Sequence, residues 1–133
     1  MTARETTIRT KYSVIRLDRN GILWLSPDEN ADLDLKEVEA CFRAYAEMGI
    51  GPDNKVLQII DARGTVQMTK EARDYAAKHG ERFFIASAII SSNLSIRLMV
   101  NFFNMFYKTQ IVPFRLFDTE ENAMKWLSKF EKG

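Results

Sequence analysis

Residues 55–78 constrain the fold most, because their pattern predicts a buried strand, a loop and a helix in succession. Residues 56–60 form a short apolar run rich in β-branched side chains, which favours a strand over a core helix. Thr69 is placed as a helix N-cap, and Gly80 lies just beyond the last predicted turn. Ligands and partners of open α/β sheets bind at the carboxyl ends of the strands. We therefore expect a functional site in the loop from Asp61 to Thr69.

Length and charge limit the class of protein. The chain has 133 residues, a size typical of one domain, and 46% of them are hydrophobic, as in ordinary globular proteins. Its 19 basic and 18 acidic residues give a net charge of +1, which provides no overall field for nucleic acid. Neither a secretory signal nor an apolar run long enough for a membrane span is visible, and Cys41 has no second cysteine to pair with. We expect a cytoplasmic protein that binds no nucleic acid and has no membrane span.

The rest of the chain alternates between strand-like and helix-like segments. Strands are predicted at residues 12–18, 22–25, 56–60, 82–90 and from 113, and helices at 34–48, from 69, at 94–108 and from 118. Asn20-Gly21 predicts a hairpin turn, and Asp34 and Glu37 have the spacing of a capping box. The resulting order, ββαβαβαβα, predicts a single-domain α/β fold with a mixed sheet of about five strands. Residues 26–33 are predicted as a loop, and residues 1–10 as a polar tail or an edge strand before a domain at 11–133.

The predicted helix at residues 94–108 has more apolar surface than one sheet face can cover. Arg97, Asn101, Asn104 and Lys108 form a narrow polar stripe, and the remaining apolar arc spans roughly 220°. Another part of the chain, a second subunit or an apolar ligand must cover the excess. The interface or pocket candidates are Phe102, Phe103, Phe106 and Tyr107. A homodimer built partly on this helix is one expectation.

Most catalytic and metal-binding constellations are missing from the sequence. A single histidine and a single cysteine cannot form the usual zinc site, and no phosphate-binding glycine loop or nucleophile elbow is present. Arg63 follows a predicted strand end and lies two residues from Asp61, so it either pairs with that aspartate or contacts a ligand. Gly64 is expected to provide a backbone turn that residues with a Cβ atom resist. The binding-site candidates are Asp61, Arg63, Gly64, Thr65 and Thr69.

Four motifs carry a resemblance to a known group. They are Asp-Ala-Arg-Gly at 61–64, Met-Thr-Lys-Glu-Ala-Arg-Asp-Tyr at 68–75, Asn-Phe-Phe at 101–103, and Phe117 through Ala123 to Trp126-Leu127. Through them, residues 12–130 resemble the bacterial STAS-like (SpoIIAA-like) domains, and more narrowly an uncharacterised branch of the anti-sigma-factor-antagonist-like group. The resemblance implies a mixed sheet with helices, no cofactor and use as a regulatory binding module.

One feature of that group is changed in this chain. STAS anti-sigma-factor antagonists carry a phosphorylatable serine after the strand that corresponds to residues 56–60. Here Asp61 is followed by Ala62 and Arg63, and the hydroxyls nearby belong to Thr65 and Thr69.

Three functions remain after these observations. The leading hypothesis is a non-enzymatic regulatory module that binds a protein partner through the loop from Asp61 to Thr69. The alternative is a carrier or sensor of a small apolar or lipid-like ligand near Phe102, Phe103 and Phe106. An enzyme that relies on the Asp61 carboxylate is the third hypothesis.

Overall fold

A computed structural model describes residues 5–64, 66–91, 93, 96–98, 100 and 112–131. Six strands form one sheet in the order β1-β2-β3-β5-β7-β8, and β4 and β6 form a separate parallel pair. The strands are β1 (Thr6–Arg9), β2 (Ser13–Leu17), β3 (Ile22–Pro27), β4 (Ala31–Leu33), β5 (Val56–Asp61), β6 (Val66–Met68), β7 (Phe84–Ile90) and β8 (Phe114–Phe117). The helices are α1 (Leu35–Glu47), α2 (Lys70–His79) and α3 (Glu120–Leu127), and residues 96–98 and 100 are also helical.

The structure confirms the mixed α/β fold but corrects the number of strands. All five predicted strands are present as β2, β3, β5, β7 and β8, antiparallel in the hairpin and parallel after it. Residues 6–9 add an edge strand that pairs antiparallel with β2. The prediction of a loop at residues 26–33 was wrong, because β3 extends to Pro27 and β4 begins at Ala31. β4 and β6 have three residues each, too few to show a periodic pattern in the sequence.

The hairpin between β2 and β3 is fixed by one carboxylate. Asp18 accepts hydrogen bonds from the backbone N–H groups of Asn20 and Ile22, at 2.9 and 3.0 Å, and from the indole N–H of Trp24 at 2.9 Å. Gly21 has a φ of 81°, which confirms the need for a left-handed residue at the turn. Asp18 therefore links the backbone of the turn to the side chain of Trp24 on β3.

Strand β5 lies at the centre of the sheet, parallel to both β3 and β7. The side chains of Leu57 and Ile59 belong to an apolar cluster with Ala123 and Leu127 of α3. The opposite face of the sheet carries a larger cluster that includes α1 and α2. The domain thus has two layers of helix on one central sheet, and β5 is buried on both sides.

The helix starts follow the predicted caps with one correction. The Asp34 carboxylate accepts from the Glu37 N–H at 2.9 Å, and the Thr69 hydroxyl accepts from the Ala72 N–H at 3.2 Å. The capping box at Asp34 and Glu37 is not closed, because the Asp34 N–H donates to the backbone carbonyl of Asp32. The Glu37 carboxylate instead turns inward and is 3% exposed. The Glu37 carboxylate therefore lies in the core and does not cap the N-terminus of α1.

Replacing Asp18 with alanine should destabilise the domain by about 2 kcal/mol, because three donors lose one shared acceptor and two of them are partly buried. Urea unfolding of wild type and Asp18→Ala would measure the difference. Asp53→Ala, in an exposed turn before β5, is the matched control and should change the free energy of unfolding by less than about 0.5 kcal/mol. Equal effects of the two substitutions would contradict this account of the hairpin.

Candidate functional site

Asp61 and Arg63 form a two-point ion pair at the carboxyl end of β5. The Arg63 Nε atom donates to Asp61 Oδ1 at 2.8 Å, and a terminal nitrogen of the same guanidinium donates to Oδ2 at 2.6 Å. The guanidinium hydrogen bond lowers the pKa of Asp61 below its ordinary value, against the opposing effect of partial burial. The Arg63 side chain is 58% exposed and that of Asp61 22% exposed. The pairing foreseen from the sequence therefore forms, and it leaves part of the guanidinium facing solvent.

The other predicted site residues in this loop differ in what they do. Thr69 acts as the N-cap of α2, so its hydroxyl is already engaged. Gly64 does not have a positive φ, and an added Cβ atom would make an ordinary 3.5 Å contact with Glu29. The expectation that this turn needs glycine was therefore wrong. Thr65 lies outside the described residues.

A cavity of about 140 Å³ lies between the sheet and the helices α1 and α2. Its walls are almost entirely carbon. The sheet contributes residues such as Leu25, Ile60 and Ile89, and the helices contribute residues such as Val38 and Ala76. Ala62, Val66 and Met68, from the loop after β5 and from β6, close another part of the wall. The cavity therefore adjoins the loop that was expected to be the site.

A short chain of polar side chains crosses one wall of the cavity. The Ser87 hydroxyl donates to the Gln58 carbonyl oxygen at 2.8 Å, and the Gln58 amide contacts the Tyr45 hydroxyl at 3.4 Å. Gln58 and Ser87 are register partners on β5 and β7, and all three residues are buried. Burial raises the pKa of Tyr45 well above its ordinary range, so this phenol stays neutral. These groups satisfy one another across the sheet.

A second polar group lies where β2 meets α1. The Glu37 carboxylate accepts from the Thr10 hydroxyl at 2.5 Å and from the Tyr12 N–H at 3.2 Å, and it contacts the Cys41 sulfur at 3.9 Å. Burial, followed by the negative charge of Glu37, raises the pKa of Cys41 to about 12. The thiol is therefore protonated near neutral pH and is a poor nucleophile. Cys41 and Ser13 both line the cavity.

The apolar interface residues expected on the helix at 94–108 are not among the residues that the structure describes. They are Phe102, Phe103, Phe106 and Tyr107. In the described part of the same segment, Ile96 and Val100 are buried, whereas Leu98 is 59% exposed. An exposed leucine here agrees with an apolar surface that the sheet does not fully cover.

Two general properties concern metals and membranes. Within the described part of the chain, no three histidine, cysteine or acidic side chains come together as a metal site would require. No helix in the described ranges is both long enough and apolar enough to cross a bilayer.

The sequence analysis missed the cavity as a site. A cavity depends on how side chains from distant segments fit together, and no local pattern reports this. The available signal was polar residues inside otherwise apolar strands: Gln58 interrupts the apolar run of β5, and Ser87 interrupts that of β7. A buried polar residue requires a partner or a ligand, so these two positions pointed to this wall of the core.

Comparison with known protein families identifies the family of this chain. A model described as a domain of unknown function (DUF7793) matches residues 15–131. The chain belongs to the DUF7793 family. None of the curated proteins matches it.

A solved structure extends the comparison to the fold of this DUF7793 domain. An uncharacterised protein of the DUF3478 family from Shewanella loihica PV-4, with a SpoIIAA-like fold, superposes with a TM-score of 0.59. The match covers 93% of this chain and 92% of that one at 17% identity, so it establishes the fold alone. The SpoIIAA-like fold expected from the sequence is confirmed.

The ion pair at the end of β5 predicts a specific pH dependence. Because the folded-state pKa of Asp61 is lowered, its stabilising effect is fully present above about pH 4 and is lost as the pH falls through the lowered value. Arg63→Ala should lower the free energy of unfolding by about 0.5–1 kcal/mol near neutral pH, the small value expected of an exposed pair. The difference from wild type should shrink as the pH falls through the lowered pKa of Asp61.

Urea unfolding at several pH values would measure this effect, with Arg19→Ala as the control for loss of a surface arginine. A stability difference between Arg63→Ala and wild type that persists unchanged in acid would contradict the ion-pair explanation.

Proposed function

We propose that this DUF7793 domain is a non-enzymatic, cytoplasmic binding module that takes up a small apolar molecule in the cavity beneath α1 and α2. The observation that supports the proposal is the cavity itself, about 140 Å³ in volume with walls almost entirely of carbon. An apolar-ligand carrier or sensor was the alternative in the sequence analysis, but it was placed near Phe102, Phe103 and Phe106, outside the described residues; the cavity supports the same class of ligand at a different site. The proposed cytoplasmic location agrees with Cys41, a free and buried thiol that suits a reducing compartment.

The size and lining of the cavity limit its ligand. An apolar protein cavity of about 150 Å³ stays dry and binds benzene, so a single six-membered ring fits a space of this size. Water gains little in such a space, because it needs two to four polar partners. The polar groups on one wall, Gln58, Ser87 and Tyr45, already satisfy one another. Filling the cavity with an apolar molecule would restore dispersion contacts that its walls lack.

The position of the cavity supports a sensor and not merely a carrier. Ala62, Val66 and Met68 line the cavity and belong to the segment that follows Asp61. A ligand in contact with these side chains can displace the backbone of the segment that also carries the exposed Arg63. Occupancy of the cavity can thereby alter the loop that a partner would contact, provided that the ligand binds one loop arrangement better than another.

Filling the cavity with protein atoms should weaken the binding of a small apolar molecule such as toluene. Ala76 of α2 lines the cavity, so Ala76→Leu should weaken the binding of toluene at least about tenfold through direct occlusion. Ala46→Leu introduces the same side chain at an exposed position of α1 and should leave the affinity unchanged. Two-dimensional NMR titration with toluene would measure both affinities. A wild-type protein that shows no saturable shifts with toluene would remove the proposal.

The exposed guanidinium of Arg63 favours a second candidate function, a protein partner that binds the loop from Asp61 to Thr69. Its two-point bond to Asp61 fixes the side chain, and the 58% exposure leaves donors directed at solvent. A carboxylate or phosphate on a partner would pair with such a fixed guanidinium. The SpoIIAA-like fold supports this candidate by analogy alone.

Partner capture should depend on Arg63. With the purified domain as bait in a source-cell extract, Arg63→Ala should lose most of any specific partner, whereas Arg19→Ala in the exposed hairpin turn should retain it. Quantitative mass spectrometry of the captured proteins provides the measurement. Identical recovery by wild type and both variants would exclude this loop as the partner site.

Association of two copies through the predicted helix at residues 94–108 is also a proposal. The 59% exposure of Leu98 supports it, because a large apolar side chain in water gains from being covered.

A further inference from the structure

We propose that the hydroxyl of Ser13 anchors the ligand, and that the ligand is therefore a small apolar molecule carrying one neutral hydroxyl group, such as an alcohol or a phenol. This inference rests on the proposed function, because it concerns a ligand of the same cavity. It adds the chemical class of that ligand and the side chain that recognises it.

Ser13 is a polar side chain directed into the cavity without a satisfactory partner. It is the first residue of β2, lines the cavity and is 0% exposed. Its hydroxyl has no nitrogen or oxygen partner among the residues that the structure describes, and the one group within its reach there is the Cys41 thiol. A buried hydroxyl left in this state typically costs about 1–3 kcal/mol, a loss that a bound hydroxyl would recover.

The polar groups next to Ser13 form their main hydrogen bonds with other residues. The Thr10 N–H donates to the Ser13 carbonyl at 2.9 Å and fixes the backbone, while the Thr10 hydroxyl makes its shorter contact with Glu37. The Ser13 hydroxyl also lies within reach of the Cys41 sulfur. Burial raises the pKa of this thiol to about 12, and the contact with Ser13 lowers the pKa against that effect. A thiol is nevertheless a weak hydrogen-bonding group. The Ser13 hydroxyl consequently remains available to a guest in the cavity.

Ser87 provides the contrast within the same cavity. It is also a buried strand serine in the cavity wall, but its hydroxyl donates to Gln58 at 2.8 Å. Two serines of equal size thus face one space, and only the Ser13 hydroxyl lacks such a bond within the described part of the chain. The difference distinguishes recognition by Ser13 from a general effect of cavity polarity.

The carboxylate next to Ser13 disfavours an anionic group at the serine, although the guanidinium of Arg73 also lines the cavity. The buried Glu37 carboxylate contacts Cys41 at 3.9 Å, so an anion placed beside Ser13 would meet a negative charge at short range. A cation would have to leave water for a space with walls of carbon, and that transfer is costly. A neutral hydroxyl avoids both penalties and can donate to or accept from the serine.

Phenol and toluene test the inference, because they have nearly the same shape and differ by a hydroxyl in place of a methyl group. The quantity to measure is the ratio of phenol affinity to toluene affinity, by NMR titration of the full chain near neutral pH. Ser13→Ala should lower this ratio about three- to tenfold, as expected for loss of one hydrogen bond, and should leave toluene binding intact. The control Ser87→Ala should not lower the ratio, because it removes the other cavity serine and leaves the Gln58 carbonyl free to accept from phenol.

The thermal midpoints of the ligand-free proteins provide an independent measurement. Ser13→Ala should melt at the wild-type temperature or a few degrees above it, because it removes an unsatisfied hydroxyl. Ser87→Ala should melt a few degrees lower, because it leaves the buried Gln58 carbonyl without its donor. A clear fall for Ser13→Ala would mean that its hydroxyl has a structural partner and would overturn the inference.

The remaining outcomes separate the inference from the proposed function. If toluene binds but Ser13→Ala keeps the wild-type affinity ratio, the inference fails and the apolar cavity site stands. If neither probe binds to wild type, the proposed function fails and the inference fails with it. Intermolecular NOEs in the wild type need no variant: phenol protons should contact the Ser13 β-protons, and contacts confined to Ser87 would overturn the assignment.

Discussion

Burial of β5 on both faces is the constraint on which the rest of this domain depends. β5 lies between β3 and β7, and alternate side chains reach opposite layers of helix. Leu57 and Ile59 meet α3, while Gln58 and Ile60 face the cavity beneath α1 and α2. A polar side chain on such a strand must find its partner inside the protein. Gln58 finds one on the adjacent strand and another on the covering helix, so the sheet and α1 are fixed relative to one another.

The cavity follows from uneven side-chain size on the covering helices. One end of the covering layer is filled by aromatic rings, with Phe42 at 5.1 Å from Tyr45, 5.3 Å from Tyr75 and 5.2 Å from Phe83 between ring centroids. The α2 residues that line the cavity include Arg73 and two small residues, Ala76 and Ala77. Large rings set the separation between helix and sheet, and short side chains at the same separation leave space. The cavity is thus a consequence of where large and small residues lie on α1 and α2.

The sequence was sufficient for features that depend on local physical chemistry. The apolar run before Asp61, the cap at Thr69 and the turn at Gly21 each reflect preferences of a few adjacent residues, and each is present in the structure. The Asp61–Arg63 ion pair belongs to the same class, because the two residues are separated by a single position. A local pattern leads to a correct prediction when neighbouring residues supply both partners of the interaction.

Features that join distant segments could not be predicted in this way. The pairing of β4 with β6 brings Ala31 next to Val66, and neither three-residue strand has a pattern of its own. Glu37 has the spacing of a capping residue, yet its carboxylate accepts from Thr10 and Tyr12, about 25 positions earlier. The unsatisfied hydroxyl of Ser13 is likewise defined only by what surrounds it in three dimensions. These are the features on which the candidate site depends.

The cavity also has a thermodynamic consequence for the domain as a whole. At about 24 cal/mol for each cubic ångström, a cavity of about 140 Å³ lowers the stability by roughly 3 kcal/mol relative to a filled core. That loss is a sizeable fraction of the 5–15 kcal/mol by which domains are stable. A ligand that occupies the space recovers part of the loss and binds only the folded chain, so stability must rise with ligand concentration. The walls nearest to the loop, at Val66 and Met68, belong to the separate parallel pair of β4 and β6, whose strands have three residues each. Stabilisation by the ligand should therefore be concentrated there, next to Arg63, and this couples occupancy of the core to the exposed surface of the domain.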